Sequence, residues 1–177
     1  IKELKTLNSS FITFVDPSPI EDKEYAKELF RKMIPLKKKW GGLATVNIAY
    51  DNELLDLATK SGCKGLLIGF ESINQESNKE FHKKINQVEK YKYVIKRLHD
   101  KGIAINGTFM FGMDTDTKDI FKRTVDFVNE TGIELPRYSV YTPFPETPTF
   151  EKLKKQGRLT ETDWSLYDAQ HVVFKPK

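Results

Sequence analysis

The sequence predicts an α/β fold in which parallel strands alternate with crossover helices. Three observations predict it. Short apolar runs rich in β-formers alternate with amphipathic helical stretches five times, with a sixth run near the end. The strand runs are continuous rather than alternating in polarity, as in a parallel sheet buried on both faces. Polar residues gather just after the strands, where such sheets keep their ligand sites.

Each element has its own warrant. "FITFV" (11–15) is a strand halted by the turn "DPSP" (16–19). Asp22 caps a helix whose apolar face is Tyr25, Ala26, Leu29, Phe30, Met33 and Ile34, ended by Pro35. After a Gly-Gly pair, "LATVNIA" (43–49) reads as a strand. Asp51 then caps "NELLDLATKS", which Gly62 ends. "GLLIGFES" (65–72) is an apolar strand that runs into the carboxylate of Glu71.

A loop leads to a helix over 86–102, with Val88, Tyr91, Val94, Ile95 and Leu98 at helical spacing and Gly102 as its stop. "IAINGTFMFG" (103–112) is the next strand. Thr117 and Asp119 open a helix with Ile120, Phe121, Thr124, Val125 and Val128 inward, closed by Gly132. "RYSVYTPFPETP" (137–148) is a strand running into three prolines, followed by the short helix "TFEKLKKQ". The end of "GRLTETDWSLYDAQHVVFKP" is one more candidate strand.

Composition narrows the class. Of 177 residues 38% are hydrophobic and 31% charged, which suits a globular domain and excludes a disordered chain. No apolar run approaches the roughly 20 residues of a bilayer span. The net charge of +4 comes with lysine clusters but no interleaved aromatic stripe, so a nucleic-acid face is not expected. The lone cysteine, Cys63, reads as a buried core residue and fits a reducing, cytoplasmic setting.

Phosphate-cradling GxGxxG and GxxxxGK[ST] motifs and the GxSxG elbow do not occur. His82, His99 and His171 lack metal-like spacing. Asp114 and Asp116 read as turn and cap residues rather than an acid–base pair. Two architectures remain from the pattern alone, a doubly wound open sheet and a (β/α) barrel. A full eight-fold barrel takes roughly 250 residues, so a partial one is expected here.

Several segments occur in a telling order: "FITFVDPSP", "SGCKGLLIGFESIN", "KKIN", "LHDKGIAINGTFMFGMDTD", "YTPFPETPTFEKLKKQGRL" and "DWSLYDAQHVVFKPK". The set covers nearly all of the chain and resembles the catalytic barrel of radical S-adenosylmethionine (SAM) enzymes. It is most similar to the group that carries an upstream cobalamin-binding domain. The resemblance implies a partial (β/α)6 TIM-like barrel with parallel strands. It also implies a [4Fe–4S] cluster held by a CxxxCxxC loop after the first strand, and reductive cleavage of SAM to a 5′-deoxyadenosyl radical. CxxxCxxC is missing here. Residues 1–177 are therefore expected to be a barrel lacking its first βα unit, cut at the N-terminus and also at the C-terminus, with the cluster cysteines outside this chain and no activity of its own.

The resemblance further implies a cofactor set along the strand ends. Asp16, Pro17 and Ser18 fall where the family's second-strand motif meets the SAM amino group. Asn47 ends the third strand at a polar SAM contact. Glu71 ends the fourth and meets the ribose or the methionine portion, and Lys84 faces the SAM carboxylate. Thr108, with Gly107 and Gly112 beside it, resembles the adenine platform, and Tyr141, Thr142 and Pro143 read adenine from the sixth strand. Many relatives have Gly where Glu146 stands. Cobalamin in another domain, a small-molecule or peptide substrate, and an electron donor such as flavodoxin or ferredoxin are the implied partners. A cluster-free α/β lyase or isomerase and a non-catalytic binding module are the rival readings.

Overall fold

The computed structural model describes residues 1–80, 83 and 85–177. The elements, in order, are α1 (Lys2–Thr6), β1 (Phe11–Thr13), α2 (Lys23–Met33), β2 (Lys39–Ala44), α3 (Asn52–Lys60), β3 (Cys63–Glu71), α4 (Gln75–Glu80), α5 (Tyr91–His99), β4 (Ala104–Phe111), α6 (Ile120–Thr131), β5 (Leu135–Val140) and α7 (Pro148–Lys155). Short 3₁₀ turns occupy Ile34–Leu36, Val46–Tyr50, Val88–Lys90 and Trp164–Leu166.

Local chemistry sets the helix ends. The Asp22 carboxylate accepts from the Tyr25 amide at 3.0 Å, and Asp51 does the same for Leu54 at 3.0 Å. Gly132 closes α6 in the left-handed conformation, φ 70°, with its N–H on the Val128 carbonyl.

The five strands form one sheet in the order β1-β2-β3-β4-β5, and all neighbours are parallel. Chain order and spatial order coincide, so the strand order never reverses. A doubly wound sheet requires that reversal. The sheet is therefore a curled half-barrel wall with helices on its outer face.

The core lies between that wall and the helices. Leu66, Ile68 and Phe70 of β3 and Ile105 and Phe109 of β4 are buried there. Phe70 stacks on Phe109 at 5.6 Å and meets Tyr91 edge-on at 4.8 Å. Trp40 stacks on Phe30 at 5.0 Å, and its indole N–H donates to the Ser61 hydroxyl at 3.1 Å. A smaller cluster joins Phe150, Tyr167 and Val173.

Several expectations need correction. The second strand is Lys39–Ala44, not 43–49. Its glycines lie inside the sheet, where a Cβ on Gly41 would stand 3.1 Å from the Gly65 carbonyl oxygen. The run that follows winds into a 3₁₀ turn that still buries Val46, Ile48 and Ala49. Apolar runs this short do not separate strand from turn. The last strand is Leu135–Val140 rather than 137–148, because Pro143 and Pro145 have no N–H for the ladder. The final candidate strand is a single antiparallel bridge, Leu159 to Phe174. The helix expected over 86–102 is a 3₁₀ turn followed by α5, and α4 forms in what read as a loop.

Two helix faces also differ from expectation. Tyr25 is exposed, while Lys27 is buried with its ammonium 3.1 Å from Glu53 and 3.3 Å from Asp51. Phe121 and Val125 of α6 are exposed as well. The inward side of the sheet is not buried: along β3, Gly65, Leu67, Gly69 and Glu71 are half-open while their neighbours toward the helices, apart from Lys64, are closed.

Candidate functional site

Register builds the open face layer by layer. Gly41 pairs with Gly65, and Gly65 with Ala104. Leu43 pairs with Leu67, and Leu67 with Asn106. Gly69 pairs with Thr108, and Thr108 with Arg137. Side chains at alternate positions share a face, so glycines and polar residues line this trough together with Leu43 and Leu67. A closed barrel fills the same space with branched apolar layers.

At the carboxyl rim the trough becomes a cavity of about 190 Å³, whose polar lining comes from Thr45, Glu71, Lys83, Asn86 and Thr108. Pro17 and Ile85, both exposed, also line it. Glu71 is its central feature. The Lys83 ammonium lies 3.4 Å from the Glu71 carboxylate, the only ion pair of Glu71 among the described residues.

The backbone at Glu71 is unusual. Its φ is +62°, a left-handed value rare outside glycine and costing about 1–2 kcal/mol. The Ser72 amide donates to the Phe70 carbonyl at 2.8 Å, which closes a three-residue γ-turn centred on Glu71. The β3–β4 register slips at this point, from Gly69 opposite Thr108 to Glu71 opposite Phe109. The Glu71 side chain folds back over Gly69. A Cβ on Gly69 would stand 2.5 Å from Glu71 Oε1 and 3.2 Å from its carboxyl carbon. Only glycine leaves room for the carboxylate in that place.

Glu71 does not cap the following helix. Ser72 Oγ accepts from the Asn74 amide at 3.0 Å, and Asn74 Oδ1 accepts from the Glu76 amide at 3.1 Å. Capping is done by neighbours, and the Glu71 carboxylate faces the cavity, paired with Lys83.

The remaining expected residues are dispersed. Pro17, Glu71 and Thr108 meet in the cavity. Asp16 is exposed, and Ser18 donates to Glu21 at 3.1 Å. Asn47 sits in a 3₁₀ turn while Thr45, two residues earlier, lines the cavity. Lys84 and His82 lie outside the described residues. Tyr141 lines a separate cavity of about 460 Å³ beyond β4 and β5, with its hydroxyl 3.2 Å from Thr149 Oγ1. Thr142 and Pro143 are buried in the loop after β5, and the Thr142 hydroxyl donates to the Val140 carbonyl at 3.1 Å. Gly107 faces the helices, where an added Cβ would meet Ile133 and the Phe70 ring, so it offers no flat surface to a base in the trough. Asp116 is a turn residue, as expected, and accepts from the amides of Gly112 and Met113 at 3.1 Å. Asp114 pairs with Arg158.

Sequence reasoning missed Thr45, Gly69, Lys83 and Asn86. The signals were present in "IGFES" and "KKIN", but nothing local shows that these stretches converge.

Cys63 opens β3 at its amino end, far along the strand from Glu71, and burial pushes its thiol up to about 12. A cluster ligand must be a thiolate, so this cysteine does not fit that role. The trough and rim cavity do fit a flexible polar cofactor. They offer a carboxylate for hydroxyl or ammonium donors, a threonine hydroxyl and a glycine floor.

A singly wound parallel half-barrel with a polar cavity at its carboxyl rim defines the class of (β/α)-barrel enzymes. Comparison with known proteins supplies the family. The Radical SAM superfamily profile matches residues 1–128, and the chain belongs to that superfamily. It is 38% identical over 165 residues to bacteriochlorophyllide d C-12(1)-methyltransferase of Chlorobaculum tepidum, covering 93% of this chain and 36% of that protein. It is 30% identical over 155 residues to the anaerobic magnesium-protoporphyrin IX monomethyl ester cyclase of Cereibacter sphaeroides, covering 87% and 25%. The fold is similar to that of the radical SAM methyltransferase TsrM from Kitasatospora setae, solved with cobalamin and a [4Fe–4S] cluster. The TM-score is 0.75 at 19% identity, over 88% of this chain and 30% of that one. The chain thus spans about a third of the length of the relatives it matches.

Proposed function

We propose that this chain is the SAM-binding wall of an iron–sulfur enzyme that methylates a small molecule at carbon, with cobalamin held by another part of the protein. The observation that carries the reading is the carboxylate of Glu71 folded over Gly69, beside Thr108, at the rim of a radical SAM half-barrel. Bound SAM supplies either an adenosyl radical, on one-electron reduction, or a methyl group.

The residues of this chain hold and orient it. Glu71 accepts from the ribose hydroxyls or the ammonium, Thr108 offers a hydroxyl to the adenosyl portion, and Pro17 and Ile85 supply apolar contact at the cavity mouth. Asp16, Ser18, Asn47 and Lys84 are proposed to complete the amino-acid end, and Tyr141, Thr142 and Pro143 the adenine end, through backbone groups at the rim. The cluster ligands come from outside this chain. The relatives named for bacteriochlorophyllide and magnesium-protoporphyrin make a tetrapyrrole the favoured substrate class. A flavodoxin- or ferredoxin-type reductant and a cytoplasmic setting complete the proposal. Among the described residues no helix is long and apolar enough to cross a membrane.

The test uses the full-length protein, reconstituted anaerobically and reduced with dithionite. S-Adenosylhomocysteine or 5′-deoxyadenosine should form from SAM. In Glu71→Ala, SAM affinity should fall about tenfold, a charge-assisted contact being worth about 1.5–3 kcal/mol, with the cluster absorption unchanged. Turnover of SAM by neither route would refute the activity, and unchanged affinity would refute the role of Glu71.

A further inference from the structure

The γ-turn at Glu71 is held from behind by side chains far along the chain. Asn86 is 2% exposed, and its Nδ2 donates to both carbonyls before the turn, Gly69 at 2.9 Å and Phe70 at 3.0 Å. The Tyr91 hydroxyl donates to the same Phe70 carbonyl at 2.6 Å. With the Ser72 amide, three donors converge on one oxygen.

A second tier holds the first. Asn78 Nδ2 donates to Tyr91 Oη and to the Ser72 carbonyl, both at 2.9 Å. Gln75 Nε2 donates to the Asn86 carbonyl at 3.0 Å, and Gln75 Oε1 accepts from the Val88 amide at 2.9 Å. Asn78 and Asn86, which lie between β3 and α5, are thereby tied to the carbonyls that shape the rim.

A strained residue persists only where its surroundings over-determine it. Here the donors act on the backbone on both sides of the strain. They leave the Glu71 carboxylate itself untouched and aimed over Gly69.

We infer that Asn86 is a positioning residue for cofactor binding: with Tyr91 it locks the γ-turn that folds the Glu71 carboxylate over Gly69 and into the rim cavity. The inference rests on the reading of Glu71 as a SAM contact. Asn86 also lines the cavity, so its amide sits where a loss of geometry is felt directly by the ligand.

The experiment is a double-mutant cycle on SAM binding, measured anaerobically by calorimetry on the full-length holoprotein. The variants are Glu71→Gln, Asn86→Ala and the pair. Each single change should weaken SAM about tenfold, the size of one charge-assisted hydrogen bond. The pair should be no weaker than about twentyfold, because Asn86 acts through Glu71 and non-additivity is the mark of a shared route. Tyr91→Phe, which keeps the ring in its packing, should give a smaller loss that also vanishes in the Glu71→Gln background. If Asn86→Ala fails to fold, Tyr91→Phe carries the test, read in the natural and in the Glu71→Gln backgrounds.

If Asn86→Ala or Tyr91→Phe weakens binding equally with and without Glu71, the clamp is merely structural and the inference is overturned while the ligand reading survives. If Glu71→Gln binds SAM as well as the natural protein does, both fall.

Discussion

The two faces of β3 make opposite use of the same nine residues. Toward the helices, Leu66, Ile68 and Phe70 are each no more than 2% exposed, and the Phe70 ring meets Tyr91 of α5 and Phe109. Toward the trough, Gly65, Leu67, Gly69 and Glu71 stay half-open. Burial per residue is what a strand can trade for stability. One face uses it fully, and the other leaves space and polar groups for something else to fill. The difference teaches that a continuous apolar run does not imply two packed faces. Glycines interrupt the run on the trough side, and they leave that face open.

The largest test of that contrast compares one deletion on each face. Phe70→Ala empties a site packed by Tyr91 and Phe109 and should destabilise the chain by about 3–5 kcal/mol. Leu67→Ala, on the open face, should cost no more than about 1.5 kcal/mol, since little of its surroundings is lost. Urea denaturation followed by circular dichroism measures both. Equal losses would mean the trough is as tightly filled as the core.

A second test asks whether every polar group above the rim is kept for ligands. Asp114 is not. Bidentate hydrogen bonds from Arg158, with the Lys177 amide behind them, hold its carboxyl below the usual carboxylate range. A depressed folded pKa favours the charged form in the folded state. Its stabilisation is complete above the ordinary aspartate value, about 3.9, and disappears as pH falls through the lower folded value. Asp114→Asn should therefore destabilise by about 1–2 kcal/mol at pH 7 and by less at pH 3, in parallel denaturations. SAM affinity should be unchanged if this pair serves only to tie down the C-terminal segment.

The smallest effect separates strain with a role from strain without one. Glu71 and Glu146 both have φ near +60°. Glu146 is exposed in the loop before α7, and the family resemblance places glycine there. Glu146→Gly should stabilise by up to about 1 kcal/mol, seen as a raised melting temperature, with SAM binding unaffected. A loss of affinity there would place the α7 loop in the site.

Much of the fold was legible before the structure. The Asp22 and Asp51 caps, the Gly132 stop and the alternation of elements follow from spacing and local hydrogen bonding, which act within a few residues. The misplaced strands failed for a physical reason of the same kind. The expected strand began after Gly41 and Gly42 because local propensity ignores how close Gly65 comes. Val46 to Ala49 read as part of a strand because burial alone does not choose a dihedral. Of the site, Glu71 and Thr108 were legible from their places at strand ends, whereas Thr45 and Asn86 were not.

By itself the sequence determined the parallel α/β class, the family and the presence of a carboxylate at the end of a buried strand. Only the tertiary structure decided which face stays open, that Gly69 leaves room for the Glu71 carboxylate, and that Asn86 and Tyr91 hold the turn between them. The reason is range. Caps and periodicity are written within one turn of chain, while the donors on the Phe70 carbonyl stand 16 and 21 residues away and meet it only when α5 packs against the sheet.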